Sequence, residues 1–299
     1  MEKRKNKILK SKWDILFETI VGVILILLGL IVLLPLLHVL FASVSDPSFV
    51  RNNESIILYP HGITFKGYAL VFENSVLIRS IVNTLTYVFC GVTLNMVVTV
   101  VAAYVLSFKG PILNNVFMKL ITITMFFSGG IIPLFQLLDE MHLLDTVAAV
   151  LLPGAMNAWN MIILRTAFRQ VPKDLMDAAQ LDGASYLRML AVIVIPVSVP
   201  TLAIIFMYYV SGHWNEWFSY MAFISDSSKY PLQLVLRELL VINDTSSIMP
   251  GDPDLVTGME SKTLVQYCAA VISVIPMLAF FPFVQRYFTS GVLIGSLKG

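Results

Sequence analysis

An apolar run in the second half of the sequence carries polar and aromatic side chains that could form a binding path. They are Tyr209, His213, Trp214, Asn215, Glu216, Trp217 and Tyr220. Four of them, from Tyr209 to Tyr220, are separated by four, three and four residues, which places them on one face of a continuous helix. Ionisable groups inside a membrane usually face a bundle interior. Rings beside hydrogen-bonding groups suit a sugar, which offers apolar ring faces and hydroxyls.

Two other interpretations of this stripe stay open. It lies near one end of its run, where Trp and Tyr form an interfacial belt, and such side chains also pack helices together. Asn83 and Tyr87, one turn apart in an earlier run, share the same alternatives. His213 and Glu216 at positions i and i+3 would supply two metal ligands, but a site needs three or four, so no metal site is predicted.

A second group of charged residues lies in the stretch 174–200, between two apolar runs. Pro172 suits a helix start and acids suit its first turns, so we predict a helix that begins near residue 173. Gly183 should end it, and a second short helix at 185–193 should follow. We call the whole of 172–195 the coupling element. Its candidate contact residues are Asp174, Asp177, Ala178, Ala179, Asp182, Gly183, Ala184 and Arg188.

The coupling element has two interpretations from its residues alone. Small residues at a bend let another protein approach closely, which favours a docking surface. The element would otherwise be an amphipathic connector. It lacks the Lys/Arg stripe that binds lipid surfaces across 174–187, so simple membrane-surface binding is disfavoured.

Composition decides the class of protein that must position these groups. The chain has 299 residues, of which 57% are hydrophobic and 13% charged, against about 25% charged in soluble domains. This predicts an all-α, polytopic membrane protein in the lipid bilayer. The net charge of +1 gives no electrostatic basis for binding nucleic acid. Cys90 and Cys268 fall in apolar runs and are predicted to be small buried residues.

Six apolar runs are long enough to cross a membrane. They are residues 20–41, 80–106, 119–138, 146–164, 197–224 and 263–285, with tails at 1–14 and 286–299. Fourteen of the twenty Lys and Arg fall on the side of the two tails, so both termini and the coupling element are predicted to be cytoplasmic. The sequence contains no GxxxxGK[ST] phosphate loop, and any ATP must therefore act on another chain.

The motif DAAQLDGAS, followed by a proline at 196, resembles the EAA motif of permeases from binding-protein-dependent ABC importers. Asp177 stands where the motif usually has glutamate and keeps the charge on a shorter arm. The segments FFSGGIIPLFQLL, HWNEWFSYMAFI and the C-terminal tail are similar to the sugar-importer branch. Within it they match best the permeases for polysaccharide fragments and those linked to lipoproteins.

The resemblance implies a type I importer transmembrane domain with six transmembrane helices in the cytoplasmic membrane. It implies a heterodimer with a second homologous permease, two ATPase subunits that hold ATP and Mg, and an extracytoplasmic solute-binding protein. This chain would bind no cofactor, and its coupling element would sit in a cleft of an ATPase. The tail 286–299 would reach between the ATPases or simply end the chain. The outer loops 45–79 and 225–262 are longer than usual connections, which favours docking of the binding protein or a gating role over merely capping the bundle.

Two other classes of protein compete with this interpretation. A membrane-embedded enzyme would need a catalytic constellation such as HExxH or a Ser/His pair, which the runs lack. A secondary transporter would act without an ATPase and usually shows an internal repeat and several buried carboxylates. Glu216 is the only carboxylate within a predicted span. The ATP-driven importer of a saccharide is therefore favoured.

Overall fold

A computed structural model describes residues 11–53, 55–108, 112–242 and 255–296, and these contain helices and no strand. The α-helices are α1 (Lys12–Ser43), α2 (Pro47–Asn52), α3 (Lys66–Glu73), α4 (Ser75–Ser107), α5 (Ile112–Thr124), α6 (Ile131–Glu140), α7 (Val147–Leu151), α8 (Ala158–Phe168), α9 (Lys173–Leu181), α10 (Tyr186–Met189), α11 (Ile195–Val197), α12 (Val199–Asn215), α13 (Phe218–Phe223), α14 (Leu232–Arg237) and α15 (Leu255–Ser296). Single π-helical turns follow α10 and α14, and a 3₁₀ turn spans Ser227–Lys229.

The chain divides into two compact units. The first comprises Met1–Val71 and Gly251–Val271. Its longest helix, α1, begins with a capping box, and its apolar side chains are exposed along most of its length. A long apolar helix with so much exposed surface suits a lipid or protein neighbour.

The second unit, which comprises Phe72–Pro250 and Ile272–Gly299, contains both candidate sites. The 33-residue helix α4 is its central element and packs along α8 and α12. Small and polar residues, among them Gly91, Asn95 and Thr99, lie on the buried face of α4. Such residues let helices approach closely and hydrogen-bond to each other in a membrane.

Cys268 is buried as predicted, whereas the prediction is wrong for Cys90, which lies on the exposed face of α4.

The predicted spans agree with the structure in part. The first, second and sixth fall within α1, α4 and α15. By length and composition, three of the described helices could cross a membrane, or four when the pair Tyr186–Val197 and Val199–Asn215, bent by 87°, counts as one. The third and fourth predicted spans are each two shorter helices. Gly130, at φ +84°, lies in the first of these breaks, and the pair Pro153 and Gly154 lies in the second.

Some predictions lie wholly or partly outside the described residues. These are most of the N-terminal tail, the middle of the link 107–118, residues 243–254 of the outer loop and the last three residues of the C-terminal tail. The all-α class is confirmed, and the six-span topology stays a prediction.

Candidate functional site

The coupling element consists of two short helices, α9 and α10, as the sequence predicted. Pro172 occupies the N-cap position of α9, and Asp174 lies in its first turn, where the helix dipole favours an acid. The Ser185 hydroxyl accepts a hydrogen bond from the Arg188 amide and caps α10. Local sequence signals therefore determine both helix starts.

Gly183 forms the turn between the two helices. Its φ of +76° lies in the left-handed region, which favours glycine. The Ala184 amide donates to the Ala179 carbonyl at 2.9 Å, and the Gly183 amide donates to Gln180 at 3.1 Å. These two bonds form a Schellman motif, which satisfies the last carbonyls of α9. The prediction that Gly183 stops the helix is confirmed.

The surface of the coupling element is exposed and partly apolar. Most of its predicted contact residues are exposed, whereas Ala179 and Ala184 are half-buried. Leu181 is 90% exposed and Leu187 75% exposed, both beside the turn. A recess of about 200 Å³ lies between Asp182, Arg188 and their neighbours. Leucines that protrude next to a recess and an acid suit a protein partner better than water.

The coupling element is attached to two long helices. The Tyr104 hydroxyl of α4 donates to the Tyr186 carbonyl at 3.0 Å, and the Phe108 ring lies edge-on to Tyr186 at 5.7 Å. On its other side the chain runs through the π turn Leu190–Val194 and α11 into α12. A displacement of α10 therefore acts on both α4 and α12.

An open cavity of about 780 Å³ lies among α4, α6, α7, α8, α12 and α13. Its lining combines amide, hydroxyl, imidazole and carboxylate groups with aromatic rings. The lining residues of this kind are Asn95, Asn157, Trp159, Asn160, Tyr208, Tyr209, His213, Glu216, Ser219 and Phe223. The volume falls within the range of about 300–1,000 Å³ that is usual for small-molecule sites.

Hydrogen bonds between helices fix the positions of Asn95 and Tyr209 in the cavity lining. Asn95 of α4 bonds through its side chain to Nε2 of His213 and to the Gly154 carbonyl. The Tyr209 hydroxyl bonds to Thr99 at 2.7 Å and accepts from the Asn157 amide at 3.2 Å. Hydrogen bonds of this kind, of which Thr99 to Tyr209 is buried and the others partly buried, fix the relative positions of α4, α8 and α12.

The structure divides the predicted stripe into two parts. Tyr209, His213 and Glu216 line the cavity together, but Tyr220 does not. The prediction of one continuous helical face is wrong beyond Asn215, where α12 ends. Glu216 adopts an extended conformation there, and its carboxylate accepts from the Ser219 amide at 2.9 Å, so a new helix, α13, begins.

The residues that flank the stripe lie away from the cavity lining. The indole of Trp214 is buried and donates to the Ser273 carbonyl at 3.0 Å. Asn215 bonds back to Ser211 within its own helix. Trp217 lies under the guanidinium of Arg237, 4.6 Å from the ring centroid. The contacts of Trp214 and Trp217 join α12 and the segment after it to other helices.

Asn83 and Tyr87 hold the segment that follows α13. The side-chain NH₂ of Asn83 donates to the carbonyls of Ser228 and Tyr230, and the Tyr87 hydroxyl donates to the Lys229 carbonyl at 3.0 Å. The Tyr87 ring also stacks on Tyr220 at 5.0 Å. Neither residue lines the large cavity.

Sequence reasoning missed the wall of the cavity at the start of α8. That wall contains Asn157, Trp159, Asn160 and, from α12, Tyr208. The signal was the Pro153–Gly154 pair inside an apolar run, because broken backbone at membrane depth is tolerated only where protein buries it or water fills a cavity.

Residues 95–294 match the model of the family described as "Binding-protein-dependent transport system inner membrane component". The match covers about two thirds of the chain and includes both the coupling element and the cavity. The chain belongs to this family.

Relatives of this permease match it over nearly their whole length. The polygalacturonan/rhamnogalacturonan transport system permease protein YtcP of Bacillus subtilis (strain 168) is 32% identical over 95% of this chain and 99% of its own. Protein LplC of the same organism is 32% identical over 91% of each chain. A chain from the crystal structure of a bacterial ABC transporter involved in the import of the acidic polysaccharide alginate matches with a TM-score of 0.86 at 29% identity, over 93% of this chain and 99% of its own.

Asp145, in the link 139–145 between the third and fourth predicted spans, is joined to the start of the predicted outer loop 225–262. Its amide donates to the Phe223 carbonyl at 2.8 Å, and its carboxylate accepts from the amides of Ser225 and Asp226 at 3.1 and 3.0 Å. Lys229 lies 3.2 Å from the same carboxylate. The Asp226 amide, followed by Lys229, lowers the pKa of Asp145 below its ordinary value.

Replacing Asp145 with alanine should loosen residues 225–229. Alanine has no carboxylate to accept from the amides of Ser225 and Asp226, and it disfavours the φ of +58° found at this position. Hydrogen exchange of these two amides should therefore accelerate roughly tenfold. The control is Glu140→Ala, which removes an exposed acid at the end of α6 and should leave the exchange of both amides unchanged. Equal exchange in the two variants would contradict this role.

Titration of the Asp145 carboxylate should make the protection of the Ser225 and Asp226 amides depend on pH in acid. Because its folded pKa is lowered, its stabilisation is complete above the ordinary pKa of 3.8 and is lost as the pH falls through the lower folded value. Protection of the two amides should therefore fall only below pH 3.8 in the wild type. In Asp145→Asn, which cannot titrate, the protection factors should not show this step.

Proposed function

We propose that this permease is the membrane subunit of an ATP-driven importer that moves a saccharide into the cell by alternating access. The observation that carries the proposal is the exposed turn of α9 and α10, with Leu181 and Leu187 protruding beside Gly183. A surface of this kind needs a partner. The chain has no phosphate loop of its own, so an ATPase subunit is the partner that this importer requires.

The proposed assembly follows from the family to which the chain belongs. It contains a second, homologous permease, two ATPase subunits with ATP and Mg, and a binding protein outside the membrane. This chain would cross the cytoplasmic membrane six times, with both termini and the coupling element on the cytoplasmic side. The substrate class is a saccharide derived from a polysaccharide, because relatives of nearly full length carry such names.

The coupling element supplies the mechanical step. Closure of the ATP-bound ATPase dimer would move α9 and α10, and the Tyr104–Tyr186 hydrogen bond and the π turn would transmit that displacement to α4 and α12. The cavity lies between these two helices. Its access would therefore change with the nucleotide state.

Reconstitution of the complete importer in liposomes tests this function. Uptake of the saccharide that the companion binding protein retains should require both that protein and ATP, and should stop when ATP hydrolysis is blocked. A secondary transporter, the alternative class, would move the sugar as a single chain down a proton or sodium gradient. Gradient-driven uptake by the isolated permease would therefore rule out the proposal.

A further inference from the structure

We propose that the start of α8 is a sugar-binding wall, on which the Asn160 carboxamide holds a hydroxyl and the rings of Trp159 and Tyr208 cover the ring faces. This inference rests on the proposed function and specifies which residues of this chain touch the transported saccharide. The sugar-binding wall comprises Asn157, Trp159, Asn160 and Tyr208.

Asn160 is the polar group at the centre of this wall. It lines the cavity, and only 6% of its surface is exposed. Within the described part of the chain its carboxamide makes no hydrogen bond, although its backbone amide donates to Asn157. Among the described residues the Tyr220 hydroxyl is the only fully buried side-chain nitrogen or oxygen without a partner, so the Asn160 carboxamide keeps accessible surface at the cavity and is free to bond a ligand. A hydroxyl group accepts and donates, and would therefore satisfy both ends of this side chain.

Two exposed aromatic rings line the same cavity as the Asn160 carboxamide. Trp159 is 59% exposed and Tyr208 56% exposed, and both line the same cavity. The side-chain carbonyl of Asn157 is engaged by the Asn160 amide, which leaves its NH₂ group as a further donor. Apolar faces beside a few oriented polar groups are what a pyranose ring needs.

The wall is held in place before any ligand arrives. Asn157 caps α8 through its side chain, and its amide donates to the Tyr209 hydroxyl, which Thr99 holds from α4. Asn95 fixes the preceding backbone at Gly154. Binding groups supported by such hydrogen bonds lose little freedom when they engage a ligand.

The charges of the lining specify how a saccharide would be recognised. Among the described residues around the cavity, Glu216 is the only charged side chain, and none is Lys or Arg. The described lining of this cavity therefore offers the carboxylate of an acidic sugar no Lys or Arg partner. Recognition at this wall uses hydroxyls and C–H faces.

Saturation-transfer NMR on the assembled importer in nanodiscs measures this contact without transport. The probes are maltotriose and a galacturonate trimer, each at millimolar concentration, and at least one should receive saturation in the wild type. Asn160→Ala and Trp159→Ala should each weaken binding of that probe about tenfold. Trp13→Ala, which removes an exposed tryptophan that does not line the cavity, is the matched control and should bind as the wild type.

Thermal unfolding separates binding from a structural role. Because the Asn160 carboxamide has no partner among the described residues, Asn160→Ala should unfold at the same temperature as the wild type or higher. Unchanged probe binding in both variants, or no saturation of either probe in the wild type, would overturn the sugar-binding wall. ATP-dependent uptake by the same complex in liposomes would continue under that result, whereas failure of the proposed function would abolish the ATP dependence of uptake in the wild type itself.

Discussion

Replacing Gly183 with valine should lower saccharide uptake by the assembled importer at least about tenfold, while the permease still inserts in the membrane. A left-handed conformation costs an L-residue about 1–2 kcal/mol, and a β-branched side chain adds to that cost. A Cβ atom added at Gly183 would meet no other atom within 4 Å, so the effect comes from the backbone and not from a clash.

The strain acts on the surface that the partner would contact. When residue 183 leaves the left-handed region, the bonds from Ala184 to Ala179 and from Gly183 to Gln180 are lost together. Leu181 and Leu187 then change their relative positions, because they lie on opposite sides of the turn. We expect ATP hydrolysis to lose its dependence on the saccharide-loaded binding protein.

Two variants serve as controls for Gly183→Val. Asparagine tolerates the left-handed region, so Gly183→Asn should retain most uptake. Gly29→Val also adds a side chain in open space, but at a position without a positive φ. Uptake per ATP hydrolysed is the measurement, and protease accessibility of the loops reports insertion. Normal coupling in Gly183→Val would contradict the role assigned to the coupling element.

The coupling element was predictable because its signals are local. Pro172, Asp174 and Gly183 each act on the backbone within one turn, through a fixed φ, the helix dipole or a left-handed conformation. None of them needs a distant contact to take effect. The bounds of α9 therefore agree with the sequence-based prediction, whereas the second helix, predicted over 185–193, is α10 continued by the π turn Leu190–Val194.

The end of α12 was not predictable in the same way. Neither glycine nor proline marks it, and helical spacing alone continues the stripe to Tyr220. The break depends on the Glu216 carboxylate, which accepts from the Ser219 amide in the first turn of α13, and on the stacking of Tyr220 on Tyr87 from α4. Periodicity carries no information about such contacts between distant segments.

The sugar-binding wall also could not be predicted in full from the sequence, because it depends on contacts between distant segments. Asn160 and Tyr208 are far apart in the sequence, and only the packing of α8 against α12 brings them to one cavity. The broken helix at Pro153 and Gly154 indicated a site nearby. It did not indicate which helix forms the opposite wall, since that depends on the hydrogen bonds that Asn95 and Thr99 make to α12.

A second large effect is expected at Gly91, where α4 meets α12. A Cβ atom there would lie 2.5 Å from both Cε1 and Nε2 of His213. The imidazole is held by its hydrogen bond to Asn95, so it cannot move without breaking a partly buried polar contact. We expect Gly91→Ala to destabilise the permease by about 1–3 kcal/mol through overpacking, measured as a lower unfolding temperature in detergent.

A double-mutant cycle with His213→Ala isolates the cause. Removal of the ring creates room for the new methyl group, so the double variant should be more stable than the sum of the two single effects predicts, by about 0.5–3 kcal/mol. Gly212→Ala is the matched control, because a Cβ there meets no atom within 4 Å and alanine favours a helix over glycine by about 1 kcal/mol. Simple additivity in the cycle would mean that the contact between Gly91 and His213 does not determine how α4 packs on α12.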